Sequence, residues 1–366
     1  EGHVELYTSP INIDPRKPAL PISNPQTYAI YLAKLLGPYA TLGLCEDTWA
    51  LEENAISDKA FLDQAYKMSD ERRDQFFNAL DTTRKGLITV VFDDTDRIQH
   101  MFWRYREDGY PGLRDKADER SKNAIEELYR KADELVGETR KRLKKDDMLI
   151  VMSDHGFQPF NVGIQINNWL HENGYLELKE GKTEGGEWYR DVDWSRTKAY
   201  GFGLNGIYIN MKGREEEGIV EPGSEYEKLK AELIEKMSGL TDPETGKTAI
   251  TDLFDCRKIY VGPYKDNGPD LLIGCNVGYR VAWDSVTGEV GGPVFKRNTK
   301  AWSGDHCVDP RIVPGIFFSN KKIIADNPRI LDVAPTILTL FGVEPPAHMD
   351  GKALTVELDG ANNAIN

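Results

Sequence analysis

The chain has 366 residues and a formal net charge of -14, with a pI near 5.1. That balance excludes a nonspecific grip on DNA or RNA, which needs a basic surface. At 40% hydrophobic and 29% charged, the composition is globular and fills one large core or two smaller ones.

In chain order, the opening TSPINIDPRKPALPISNPQ is rich in proline and polar residues and reads as an extended connector. Thr27 to Leu36 reads as a short helix stopped at Gly37-Pro38. Ser57 to Leu80 reads as a longer helix with apolar positions at Phe61, Leu62, Ala65, Tyr66, Phe76, Phe77 and Leu80. Leu87 to Phe92 is a β-rich apolar run, predicted to be a strand. Ser121 to Lys145 places Ile125, Leu128, Ala132, Leu135, Val136 and Leu143 at helical spacing, as a helix covering a sheet does. Met148 to Met152 reads as a buried strand between two aspartate-bearing boundaries.

The middle, from about 157 to 276, is the least regular part and reads as an insertion. It contains predicted strands at Gly206 to Asn210 and Leu271 to Ile273, and a charged helix at Glu225 to Met237. Gly315 to Ser319 reads as a strand. Asp332 then reads as the N-cap of a helix through Phe341, with Pro335 in its first turn and Gly342 as its stop. This alternation predicts an α/β fold, a three-layer α/β/α sandwich with a mostly parallel central sheet. Two units are expected: a connector and helical segment over 1–82, and an α/β core over 83–366.

Three of the six histidines sit beside an aspartate or one helical turn from it. Asp96 and His100 in TVVFDDTDRIQH are four apart, which stacks both on one helix face; the plainer reading makes Asp96 a helix N-cap and His100 a surface residue. Asp154 and His155 in MLIVMSDHGF directly follow a predicted strand. Adjacent strand residues point to opposite faces, so both meet one ion only if the chain turns, which Gly156 permits. His306 lies in the glycine-bearing loop WSGDHCVDP. Neutral imidazole and carboxylate are the usual donors for zinc and its first-row neighbours, and a divalent ion lets an acidic protein take an anionic substrate.

The order D-x-x-x-H, S-D-H-G, G-D-H resembles the alkaline phosphatase superfamily, in its type I phosphodiesterase and nucleotide pyrophosphatase branch. TDRIQHMFW, GIYIN, PDLLIG and ILDVAPTILTLFGVEPPAHMDG also resemble that branch, so the likeness runs from about Leu87 onward. It implies hydrolysis of a phosphodiester or a nucleotide-type pyrophosphate by a two-metal in-line mechanism. Asp96, His100 and His306 would hold one ion, and Asp154 and His155 part of the shell of the second. Zinc is the expected metal, with manganese accepting the same donors.

The family's nucleophile, a threonine or serine opening a helix, and its further aspartate have no match between Glu1 and Asp94. Thr8, Ser9 and Asp14 lie in the connector, and Asp93 and Asp94 are too close to Asp96 for that role. The expectation is a C-terminal part of a longer protein lacking its N-terminal strands, inactive alone. A phosphoglycerate mutase-like phosphotransferase and a non-catalytic metal-binding or scaffold module are the alternatives. A sulfatase is rejected, because Cys307 opens C-V-D-P-R where C-x-P-x-R is required.

Other residues carry less. Cys307 reads as a packed thiol with soft ligation as the alternative. Trp103 and Tyr105 read as core packing or as a substrate wall, and Arg97 as an ion-paired helix residue or a phosphate contact. His3, His171 and His348 have no carboxylate at ligand spacing. The four cysteines Cys45, Cys256, Cys275 and Cys307 are scattered, which favours a reducing compartment and a cytoplasmic location, although four suffice for two bridges. No run of apolar residues reaches the length of a membrane span, so the expected partner is a small phosphate ester.

Overall fold

The computed structural model describes residues 6–41, 46–111, 113 and 118–357. The first helix, Thr27–Leu36, ends where Gly37 takes φ 97°. Ser57 caps the next long helix, Asp58–Thr82, its hydroxyl accepting from the Ala60 N–H. That helix buries Phe61, Leu62 and Ala65 against Ile98, Met101 and Phe102 of helix Asp94–Phe102 and against Ala124, Ile125 and Leu128 of helix Ala124–Arg142. Each large apolar side chain so buried contributes about 1.5–3 kcal/mol as an upper bound. The packing fixes the orientation of Asp94–Phe102, the helix that carries Asp96 and His100.

A second, larger apolar cluster runs from Val162 to Val313. Its organising strand is Gln158–Ile164, which pairs parallel to Gly278–Val281 and antiparallel to Phe295–Arg297 and to Gly304–Asp305. A four-stranded antiparallel sheet follows the order Ala199–Phe202, Gly206–Ile209, Leu271–Cys275, Ile250–Asp255. Ile150–Met152 pairs antiparallel with Phe317–Ser319, and Lys322–Ile324 with Thr355–Glu357. The C-terminal helix Val333–Leu340 is stopped near Gly342 at φ 71°.

The chain is therefore mixed α/β, but the expected mostly parallel central sheet is corrected: among the described residues the strand pairings are mostly antiparallel. One cause is loop length. Phe202 and Gly206 are joined by a tight turn, and a parallel partner would need a crossover of about a dozen residues. The other is Leu87 to Phe92, which is not part of a described strand; Leu87 and Val91 are exposed. The helix expected to open at Asp332 is entered through a 3-10 turn, Ile330–Asp332, and the Asp332 carboxylate accepts from Arg329 and Lys352 N–H groups instead of capping the helix.

The register Gln158 with Asp305 and Pro159 with Gly304 sets the site. It brings the turn at 154–157 beside the loop at 303–307. Helix Asp94–Phe102 closes the third side, with the Ser303 N–H donating to the His100 carbonyl at 2.7 Å. No helix among the described residues is long and apolar enough to cross a membrane. Cys256, Cys275 and Cys307 are free thiols; Cys45 and His3 lie outside the described residues.

Candidate metal centre

Asp96 is not the cap of its helix; that position belongs to Asp93, whose carboxylate pairs with Arg72 at 2.9 Å. Oδ2 of Asp96 instead stands 3.3 Å from Nε2 of His100 and 3.4 Å from Nε2 of His306. One ligand atom from each of these three residues lies within 4.8 Å of the others. The His306 ring stacks on His155 with centroids 3.5 Å apart and planes 7° apart. Nε2 of His155 is 3.4 Å from Oδ2 of Asp154, whose side chain is 74% exposed at the open edge. All five residues singled out in the sequence thus form one continuous group, closed at Asp96 and His100 and open at Asp154.

The hydrogen bonds of the two helix- and turn-borne histidines fix their tautomers. Nδ1 of His100 lies 2.7 Å from the Gly304 carbonyl, and Nδ1 of His155 lies 2.9 Å from the Gly156 carbonyl. A carbonyl only accepts, so Nδ1 carries the proton in both rings. In the neutral imidazole Nε2 then presents a lone pair, and in both rings it faces a carboxylate oxygen. Two acceptors face each other twice, an arrangement relieved by protonating the ring or by a cation lying between the donors. Holding the remote ring N–H on a backbone carbonyl is also how metal-binding histidines are oriented.

Burial tends to raise the Asp96 pKa, but hydrogen bonds from His100 in its doubly protonated form and from His306, with the charges of His100 and Arg97, outweigh it and hold this carboxyl well below the usual range. Its charge is thus present at neutral pH. His100 is packed by Trp302, 3.8 Å between centroids, and by Phe157 at 4.7 Å.

Two glycines are required by close approach. A Cβ on Gly304 would stand 2.6 Å from the Gln99 carbonyl oxygen, and one on Gly156 2.8 Å from that of Pro314. Gly156 therefore serves the turn through contact with the neighbouring segment.

Of the lesser candidates, Arg97 pairs with Asp96 at 3.3 Å. Trp103 packs beside Phe157, while the Tyr105 hydroxyl donates to Asp58. Asp14 is held by Arg16. His171 Nδ1 bonds the Leu176 carbonyl, and His348 is exposed. The Cys307 thiol is pushed up to about 12 by burial and the Asp305 charge. Sequence reasoning missed Arg280, Trp302 and Phe157. Arg280 lies on another strand and had no spacing signal; Phe157 comes two residues after His155, and an aromatic there was the available clue.

Imidazole and carboxylate donors converging on the rim of a mixed α/β body suit a divalent cation in hydrolytic chemistry. The chain belongs to the type I phosphodiesterase / nucleotide pyrophosphatase family, the match covering residues 22–304. The match includes Asp96, His100, Asp154 and His155 and ends two residues before His306. The family is one of phosphodiesterase- and pyrophosphatase-type hydrolases. A comparison with curated proteins found no match.

Proposed function

We propose that Asp96, His100 and His306 hold one divalent cation and that Asp154 and His155 supply part of the shell of a second, in a site for hydrolysing a phosphodiester or nucleotide-type pyrophosphate. The observation that carries this reading is the pair of carbonyl-anchored imidazoles, each with its remaining nitrogen turned to a carboxylate. A bound cation pair neutralises charge developing on the phosphoryl oxygens and lowers the pKa of an attacking hydroxyl or water.

The chain's own groups do the rest. Asp96 supplies negative charge shared between two rings. The Gly304 and Gly156 carbonyls hold the rings with Nε2 directed toward the carboxylates. Trp302 and Phe157 shield His100 from water, which strengthens the local electrostatics. Zinc fits a set of nitrogen and oxygen donors best, with manganese as the nearest competitor. No position before Asp96 is assigned as nucleophile, so this polypeptide is expected to bind the cation and turn over little.

The test is calorimetric titration with zinc, followed by assay of bis(4-nitrophenyl) phosphate against 4-nitrophenyl phosphate. Zinc binding with little turnover is the expected result. Diester turnover by this polypeptide would overturn the missing nucleophile, and absence of cation binding would overturn the site.

A further inference from the structure

Behind the candidate centre lies a buried ion pair. Arg280, on strand Gly278–Val281, and Asp305, beside His306, are each 1% exposed, with Nε and Oδ2 2.8 Å apart. They meet across strand Gln158–Ile164, with which both of their strands pair. The Arg280 N–H is not well aligned for a hydrogen bond, so the contact is chiefly one of charge.

Asp305 sits within ligand distance of His306 and Cys307, yet its oxygens are already engaged. Oδ1 accepts from the backbone N–H groups of His306 and Cys307, both at 2.8 Å. Oδ2 accepts the Trp302 indole N–H at 2.8 Å and faces Arg280. Asp305 therefore orients the backbone from which His306 projects. The same carboxylate anchors Trp302, whose ring packs on His100. Arg280 is itself wedged over the Trp283 ring, 4.0 Å from its centroid, and Trp283 meets Trp302 edge-on at 5.7 Å.

Fold stability alone is a weak reason for such a pair. Desolvating two charges costs as much as their attraction returns, and apolar replacements are often neutral or stabilising. Its placement suits a different purpose. We infer that Arg280 is a positioning residue of the cation site, which through Asp305 fixes the aim of His306 and through Trp302 the packing of His100. This rests on the proposed metal-binding reading.

The test is zinc titration by calorimetry, with thermal unfolding in chelator, on the wild type, Arg280→Met, Asp305→Asn, the double variant and Trp302→Phe. Trp302→Phe keeps an aromatic side chain but removes the indole N–H and part of the surface packed on His100, and it reports even if a single charge deletion fails to fold. The double variant removes the ion pair and leaves no uncompensated buried charge. Folded variants are expected to bind zinc roughly 10–100-fold more weakly, the usual effect of removing a partner behind a ligand. In the double variant, unfolding should return toward the wild-type temperature while zinc affinity stays low. Wild-type affinity in the double variant and in Trp302→Phe would overturn the inference and leave the metal site standing. Failure of the wild type to bind zinc would overturn the underlying reading, and the inference with it.

Discussion

Gly304→Ala tests the docking of the His306 loop on helix Asp94–Phe102. The added Cβ would stand 2.6 Å from the Gln99 carbonyl oxygen and 3.0 Å from Cβ of Trp103. The helix cannot easily yield, because that oxygen accepts the Trp103 N–H. The loop must move instead, stretching the 2.7 Å bond between His100 Nδ1 and the Gly304 carbonyl. Overpacking of this kind costs about 1–3 kcal/mol, and the weakened hydrogen bond about 1 kcal/mol more. Urea unfolding in chelator should therefore show a loss of about 2–4 kcal/mol, seen as a lower midpoint at unchanged slope. Zinc affinity should fall by roughly 10–100-fold as His100 and His306 lose their mutual alignment. An alanine variant with the wild-type midpoint and wild-type affinity would refute the reasoning.

Asp96→Asn should abolish zinc binding in calorimetry, because it removes the one charge shared by both imidazoles, whereas Asp154→Asn, at the exposed edge, should weaken binding only partly. Asp309 tests the acid limb of stability. Hydrogen bonds from Arg311 outweigh burial and hold its pKa at about 2, below the ordinary 3.8. A depressed folded pKa stabilises above the unfolded value and is lost as pH falls through the folded one. Asp309→Asn should cost about 1–2 kcal/mol at pH 7, discounted because Arg311 is exposed, and the charge-dependent part of that difference should vanish below about pH 2. Unfolding curves across pH check this. Cys307→Ala should leave zinc affinity unchanged, since Cys307 is not part of the Asp96, His100 and His306 group; a weakened site in the titration would make Cys307 a ligand.

Helix boundaries were legible where capping chemistry marks them. Ser57 opens Asp58–Thr82, Gly37 ends Thr27–Leu36, and the charged run expected as a helix over Glu225 to Met237 is helical over Ser224–Met237. Strand direction was not legible, because a short apolar run has the same pattern in either sense. Leu87 to Phe92 shows the limit: β-rich composition makes a segment fit for a sheet, but a strand exists only with a partner. Strands Gln158–Ile164 and Ile250–Asp255 escaped notice because Pro159 and Gly163 interrupt one, and Asp252 and Asp255 the other. The five candidate ligands stood out because aspartate and histidine stand together or one helical turn apart in each motif. Their mutual geometry did not, since it depends on the register between Gln158–Pro159 and Gly304–Asp305. Arg280 was illegible for the same reason.

X-ray absorption on the zinc-loaded chain tests the central claim most directly. The account predicts a shell containing two imidazole nitrogens and carboxylate oxygen, with one imidazole lost in His100→Ala. A shell without imidazole, or one unchanged in that variant, would contradict it.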